Sequence, residues 1–153
     1  MGQLVSGMFQ DGPRKDDCER AEKEVAAYFR EKGCTVKDDY GPGHYYDLRV
    51  TYPDGRTLCV DVKSYNKTHE KTTGELWVKA KHALYFALCN VLEGELESQV
   101  EHWFITCTPL AWYAWQPPKA PMSTLGFEPS KDGTEEWNIV VPIDQMKRIK
   151  RIK

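Results

Sequence analysis

Four residues of this chain have the types and spacing that handling a phosphate ester would require: Glu22, Asp47, Asp61 and Lys63. Asp61 and Lys63 are two apart in a run of alternating character, Arg56 to Tyr65, and Asp47 lies in a second such run, Tyr45 to Tyr52. Between the runs stands Pro53-Asp54-Gly55, which suits a three-residue hairpin loop. Pro and Asp fit a type I turn, and Gly accepts the left-handed position that follows. With Tyr52 opposite Arg56, counting outward pairs Val50 with Leu58, Leu48 with Val60 and Tyr46 with Val62 on one apolar face. The other face pairs Thr51 with Thr57, Arg49 with Cys59, Asp47 with Asp61 and Tyr45 with Lys63, because strand side chains alternate with period two.

Two aspartates are therefore expected face to face. Directly opposed strand residues have Cβ atoms about 4.5–5.5 Å apart, and like charges there destabilise the pair. The repulsion becomes useful if a hard divalent cation such as magnesium sits between the carboxylates, with water and substrate phosphate oxygens completing its shell. Lys63, on the same face, is then placed to orient a water nucleophile or offset charge growing on a phosphoryl group. A plainer reading makes Asp47 a strand start at the solvent edge and Asp61 and Lys63 ordinary exposed strand residues. Glu22 falls between Cys18, Val25 and Phe29 on the apolar stripe of a helix, and a carboxylate there wants a metal, a metal-bound water or a cation. The alternative reading puts it at the stripe margin, reaching solvent.

The elements that must position these groups follow from periodicity and punctuation. Asp16 and Asp17 offer an N-cap to a helix running to Lys32, ended by Gly33. Val36 to Asp39 reads as a short strand, and Gly41-Pro42-Gly43 breaks the chain before the hairpin. A polar loop, Asn66 to Thr73, leads into Leu76 to Leu92, where Val78, His82, Tyr85, Phe86 and Cys89 suit a second amphipathic helix. An acidic stretch with Glu93, Glu95, Glu97 and Glu101 precedes a buried strand, His102 to Cys107. Ala111 to Trp115 and Trp137 to Pro142 read as further strands around an irregular Pro-rich loop, 117–129. Asp144 is expected to cap a short basic final helix.

The chain has 153 residues and reads as one domain over 1–153 with a short basic C-terminal tail. No apolar run approaches the roughly 18 residues of a membrane span, so no membrane partner is expected. Five scattered cysteines without close pairing, and no secretory leader, point to a reducing, cytoplasmic setting. The formal net charge of −2 rules out a wholly basic, nucleic-acid-coating surface. Any such contact is local, through Lys67, Lys71 and Lys79 or through Lys147 to Lys153, each of which also reads as a solvated face.

The order acidic helix, strand with Asp, strand with Asp-x-Lys, helix resembles the PD-(D/E)XK, or restriction-endonuclease-like, superfamily. Glu22, Asp47, Asp61-Val62-Lys63 and the following helix carry the resemblance over roughly the first 90 residues. The segment Ala21-Glu22-Lys23-Glu24-Val25-Ala26-Ala27-Tyr28-Phe29, followed by Gly33, is closest to the repair and Holliday-junction-resolvase-like branches. The residue before Asp47 is Tyr46 where the motif is named for Pro. The resemblance implies a mixed α/β fold, a central mixed sheet flanked by helices with an αβββαβ core. It also implies a nuclease of the hydrolase class, using Mg2+ or Mn2+ to cut phosphodiester bonds, with DNA as the leading substrate. Asp47 and Asp61 would be metal ligands, Glu22 an accessory acid at the metal, and Lys63 the catalytic lysine; a homodimer is one assembly open to such an enzyme. The competing expectation is an inactive module that keeps the fold to bind nucleic acid or a protein. Weaker site candidates are His82 and Lys79 on the second helix, His44 before the hairpin and His69 in the polar loop. Trp112, Tyr113 and Trp115 suggest base stacking, although their strand setting argues first for packing.

Overall fold

The computed structural model describes residues 13–41, 43–96, 99–117, 126–130 and 136–153. Helix α1 (Pro13–Glu31) is followed by β1 (Thr35–Lys37), β2 (Leu48–Thr51) and β3 (Thr57–Ser64), then a 3-10 turn at His69–Lys71. Next come β4 (Glu75–Lys79), α2 (Ala80–Leu96), β5 (Val100–Cys107) and β6 (Ala111–Trp115). The chain closes with β7 (Gly126–Pro129), β8 (Trp137–Pro142), a second 3-10 turn (Ile143–Gln145) and β9 (Lys147–Arg151). A six-stranded mixed sheet runs β1-β2-β3-β5-β6-β9, and a three-stranded sheet runs β4-β8-β7.

The hairpin has the expected register. Leu48 pairs with Val60, Arg49 with Cys59, Val50 with Leu58 and Thr51 with Thr57. Gly55 takes φ 93°, and Tyr52 and Arg56 close the loop through a 2.8 Å hydrogen bond from the Tyr52 N–H. Strand β3 is central because β5 lies parallel to it over its whole length, with Asp61 beside Phe104 and Lys63 beside Thr106.

The two sheet faces are covered by different helices. Ala21, Val25, Ala26 and Phe29 of α1 pack on Leu48, Val50, Val60, Val62 and Ile105. On the opposite face, Ala83 and Phe86 of α2 pack with Phe104, Trp115 and the inner residues Val78, Ile139 and Val141 of the small sheet. Helix α1 ends in paired hydrogen bonds, Gly33 N–H to Arg30 O and Cys34 N–H to Phe29 O, with Gly33 at φ 88°. That left-handed residue lets the chain reverse into β1.

Four expectations are corrected. Helix α1 starts at Pro13, so Asp16 and Asp17 are inside it and are not its N-cap; Pro fits a first turn because its missing N–H has no helical partner there. The second helix starts at Ala80 rather than Leu76. Residues 75–79 form β4, whose Leu76 and Val78 alternate with Trp77 and Lys79 and pair with Val141 and Ile139 of β8. The same helix continues to Leu96 through Glu93 and Glu95, so these two acids do not lie in the connection. The final basic segment is an edge strand, not a helix or tail: β9 pairs with β6, and Ile149 packs against the α1-side core. Within the Pro-rich segment, Gly126–Pro129 is strand β7 on β8; residues 118–125 lie outside the described residues. No disulfide joins the five cysteines, and no helix among the described residues is long and apolar enough to cross a membrane.

Candidate active site

Asp61 sits inside β3, only 6% exposed, on the face covered by α2. Its Oδ2 is buried and makes no hydrogen bond; the Lys63 ammonium lies 3.5 Å away. Lys63 is mostly buried, with 20% of its side chain exposed. Burial pulls its pKa down, but Asp61, Tyr65 and Asp47 outweigh burial and hold it above the usual lysine value.

Asp47 is positioned by a departure from the expected ladder. Val60 is the register partner of Leu48, yet its carbonyl accepts the Asp47 N–H at 2.8 Å. Two residues thus oppose one, an offset of the β-bulge kind. The Val62 N–H, which a straight ladder would give to the Tyr46 carbonyl, donates instead to Asp47 Oδ2 at 2.8 Å. Asp47 therefore caps the point where β2 and β3 separate, and its carboxyl feels the Asp61 charge. Tyr46 is released from the face it was expected to share with Leu48 and Val50. It packs with the α2-side cluster, its ring edge-on to His102 at 5.8 Å.

The electrostatics are those of a crowded acidic pair. Burial, then the Asp61 charge, then Glu22 push the Asp47 carboxyl up to about 8, against the opposing Val62 hydrogen bond. Glu22 is half-buried on α1; burial first, then Asp61, raise its pKa. Glu22 is close enough to feel both aspartates. Even so, no group of three or more His, Cys, Asp or Glu side chains close enough to hold one metal ion occurs among the described residues, so Glu22 is not brought into a common ligand cluster with Asp47 and Asp61.

The pair itself fits a hard dication. Both donors are carboxylates, one buried oxygen lacks a hydrogen bond, and magnesium commonly takes only one or two protein carboxylates, filling its shell with water and phosphate oxygens.

The weaker candidates separate clearly. His82, in the first turn of α2, faces the site. Burial takes its pKa below the usual value, Asp61 opposes that, and Lys63, Lys79 and Lys81 add to it. Its Nδ1 is buried without a hydrogen-bond partner. Lys79 ends β4 instead of lying on the helix. His44 packs against Tyr40 and Tyr46, and His69 against Tyr65. Trp112, Tyr113 and Trp115 are all buried in the sheet and present no stacking platform. A ring pair outside the candidate residues does so: Tyr45 and Tyr85, stacked at 4.3 Å with 19° between planes, 40% and 37% exposed. The available sequence signal was only that Tyr45 falls opposite Lys63 and that Tyr85 follows His82 by one helical turn.

No protein-family model and no curated protein matches the sequence. Among solved structures, the chain is similar to the 1.6 Å structure of a Holliday junction resolvase from Archaeoglobus fulgidus, an archaeal hyperthermophile. The TM-score is 0.51 with 12% sequence identity, over 82% of this chain and 93% of that one. The likeness shows the fold: the six-stranded mixed sheet and its two helices form a restriction-endonuclease-like core.

Proposed function

We propose that this protein is a divalent-metal-dependent nuclease that hydrolyses phosphodiester bonds of DNA, with Asp47 and Asp61 holding the metal. The observation that carries this reading is the buried junction of two carboxyls with a lysine ammonium at the mouth of the β2–β3 hairpin. A sheet built only for stability would not place like charges there.

When bound, magnesium or manganese would neutralise the pair and polarise a phosphate oxygen. The Asp47 carboxyl is anchored through Oδ2 by the Val62 N–H, which fixes its bearing toward Asp61. Lys63, protonated at neutral pH because its pKa stays high, offsets negative charge on the phosphoryl oxygens as they crowd in the transition state. Glu22, outside the carboxylate pair but within reach of its field, holds a water on the α1 side and biases it toward deprotonation. Exposed Lys147, Arg148, Lys150 and Arg151 on β9 supply local phosphate contacts that a chain of nearly zero net charge needs.

The solved neighbour is a Holliday junction resolvase, which makes branched DNA the first substrate to try. A homodimer would put two such sites on two strands. The test is cleavage of plasmid, single-stranded and branched DNA with and without Mg2+ or Mn2+, alongside Asp61→Ala and Lys63→Ala proteins. Metal-dependent cutting lost in both variants supports the nuclease. Metal-independent, salt-sensitive binding with no cutting supports an inactive DNA-binding module instead.

A further inference from the structure

Beside the carboxylate pair lies a second feature that hydrolysis does not use. Tyr45 precedes the Asp47 bend by two residues, and Tyr85 is on α2, so their stack joins the two walls of the site. His82 meets the Tyr45 ring edge-on at 5.2 Å, and its electrostatic neighbours include Asp61 and Lys63. The ring pair is therefore next to the reacting groups, not on a remote surface. Both rings are exposed, 40% and 37%, at the rim of the α2-side core, where Tyr85 meets His102 edge-on at 6.2 Å and Phe86 packs with Phe104 at 4.8 Å.

Charge decides what such a surface would take. Lys79 and Lys81 flank the start of α2, and with Lys63 they surround His82. Among the described residues, Lys81 alone of these three pairs with an acid outside the site, Glu136 at 3.5 Å, and its own side chain is largely exposed. Flat rings bordered by ammonium groups match a planar, uncharged group carried on a polyanion. An apolar protein segment has no use for the lysines, and a continuous duplex hides its base faces in the stack.

We propose that the Tyr45–Tyr85 pair is a subsite for one unpaired nucleobase next to the scissile phosphodiester. This rests on the nuclease reading, and it narrows the substrate class to DNA with a nucleotide free of its stack, as at a flap, a junction or a single-stranded end. The base lies on the outer tyrosine face, and the lysines hold the phosphates on either side of it.

The test is binding by fluorescence anisotropy in EDTA, using a blunt duplex and the same duplex with a short single-stranded flap. Stacking of one base on an aromatic ring is worth enough to favour the flapped DNA roughly tenfold or more. Tyr45→Leu/Tyr85→Leu should lose that preference while its affinity for the blunt duplex stays unchanged, and Tyr45→Phe/Tyr85→Phe should keep it. Should the double leucine protein fail to fold by circular dichroism, the single Tyr85→Leu protein gives the same reading. The proposal is overturned if wild type shows no preference, or if the leucine protein retains it. It is also overturned if the leucine protein changes its sedimentation from dimer to monomer with the preference intact, which would make the rings a contact between copies. Cleavage of both DNAs in Mn2+ is measured in parallel: cutting without preference removes the subsite alone, and preference without cutting supports the subsite and removes the nuclease.

Discussion

Replacing Asp61 with Asn removes the charge beside Asp47 and keeps the shape of the side chain. In wild type, burial and then the Asp61 charge hold the Asp47 carboxyl at about 8, against an ordinary 3.8. A carboxyl whose pKa is higher in the fold than in the unfolded chain binds its proton more tightly when folded. Its stabilising contribution is complete below about pH 4 and is lost as pH climbs through about 8. At roughly 1.4 kcal/mol for each pH unit between the two values, the loss is on the order of 5 kcal/mol. Asp61→Asn removes the second-ranked cause of the rise and leaves burial and Glu22 in place, so stability on the order of 2 kcal/mol should return at alkaline pH, the usual size of a like-charge effect. For a chain of this length, that is roughly 5–10 °C in Tm near pH 9, shrinking to nothing near pH 4. The assay is thermal unfolding by circular dichroism across that range in EDTA. Magnesium should raise the alkaline Tm of wild type and leave the variant nearly unmoved. Parallel pH profiles for the two proteins would refute the coupling of the carboxyls.

Lys63→Met should cut metal-dependent DNA cleavage by about a hundredfold or more in a gel assay, while far-ultraviolet circular dichroism stays that of wild type. Gly33→Ala, at φ 88°, should destabilise the protein by about 1 kcal/mol or more, read by urea unfolding, because a Cβ is strained in the left-handed region. Phe86, fully buried between α2 and the sheet, should cost about 3–5 kcal/mol on truncation to Ala, with a matching fall in the urea midpoint.

The site was legible where local chemistry determines geometry. The Pro53-Asp54-Gly55 bend sets its own register, so the pairings out to Leu48 with Val60 could be counted outward from it. Counting failed from Asp47 onward, because the ladder breaks there: the Asp47 N–H takes the Val60 carbonyl, and its side chain takes the Val62 N–H that backbone would otherwise take. Residues 75–79 read as helix because Leu76, Val78 and the true helix after Ala80 also fit a 3.6-residue spacing; what makes them a strand is β8, more than 50 residues later. The basic C-terminal run reads as a helix or tail until the open edge of β6 is known to need a partner. The Tyr45–Tyr85 stack was hidden for the same reason, since it joins two elements 40 residues apart.

Metal binding by the carboxyl pair is tested most directly by diffraction from crystals soaked in Mn2+, using the metal's anomalous signal. A peak is expected at direct ligand distance from both Asp47 and Asp61, with Lys63 beside it, and is expected to be lost in Asp61→Asn crystals. A map with no peak at the carboxyl pair, or one in which the metal binds Glu22 or His82 and touches neither aspartate, would contradict it.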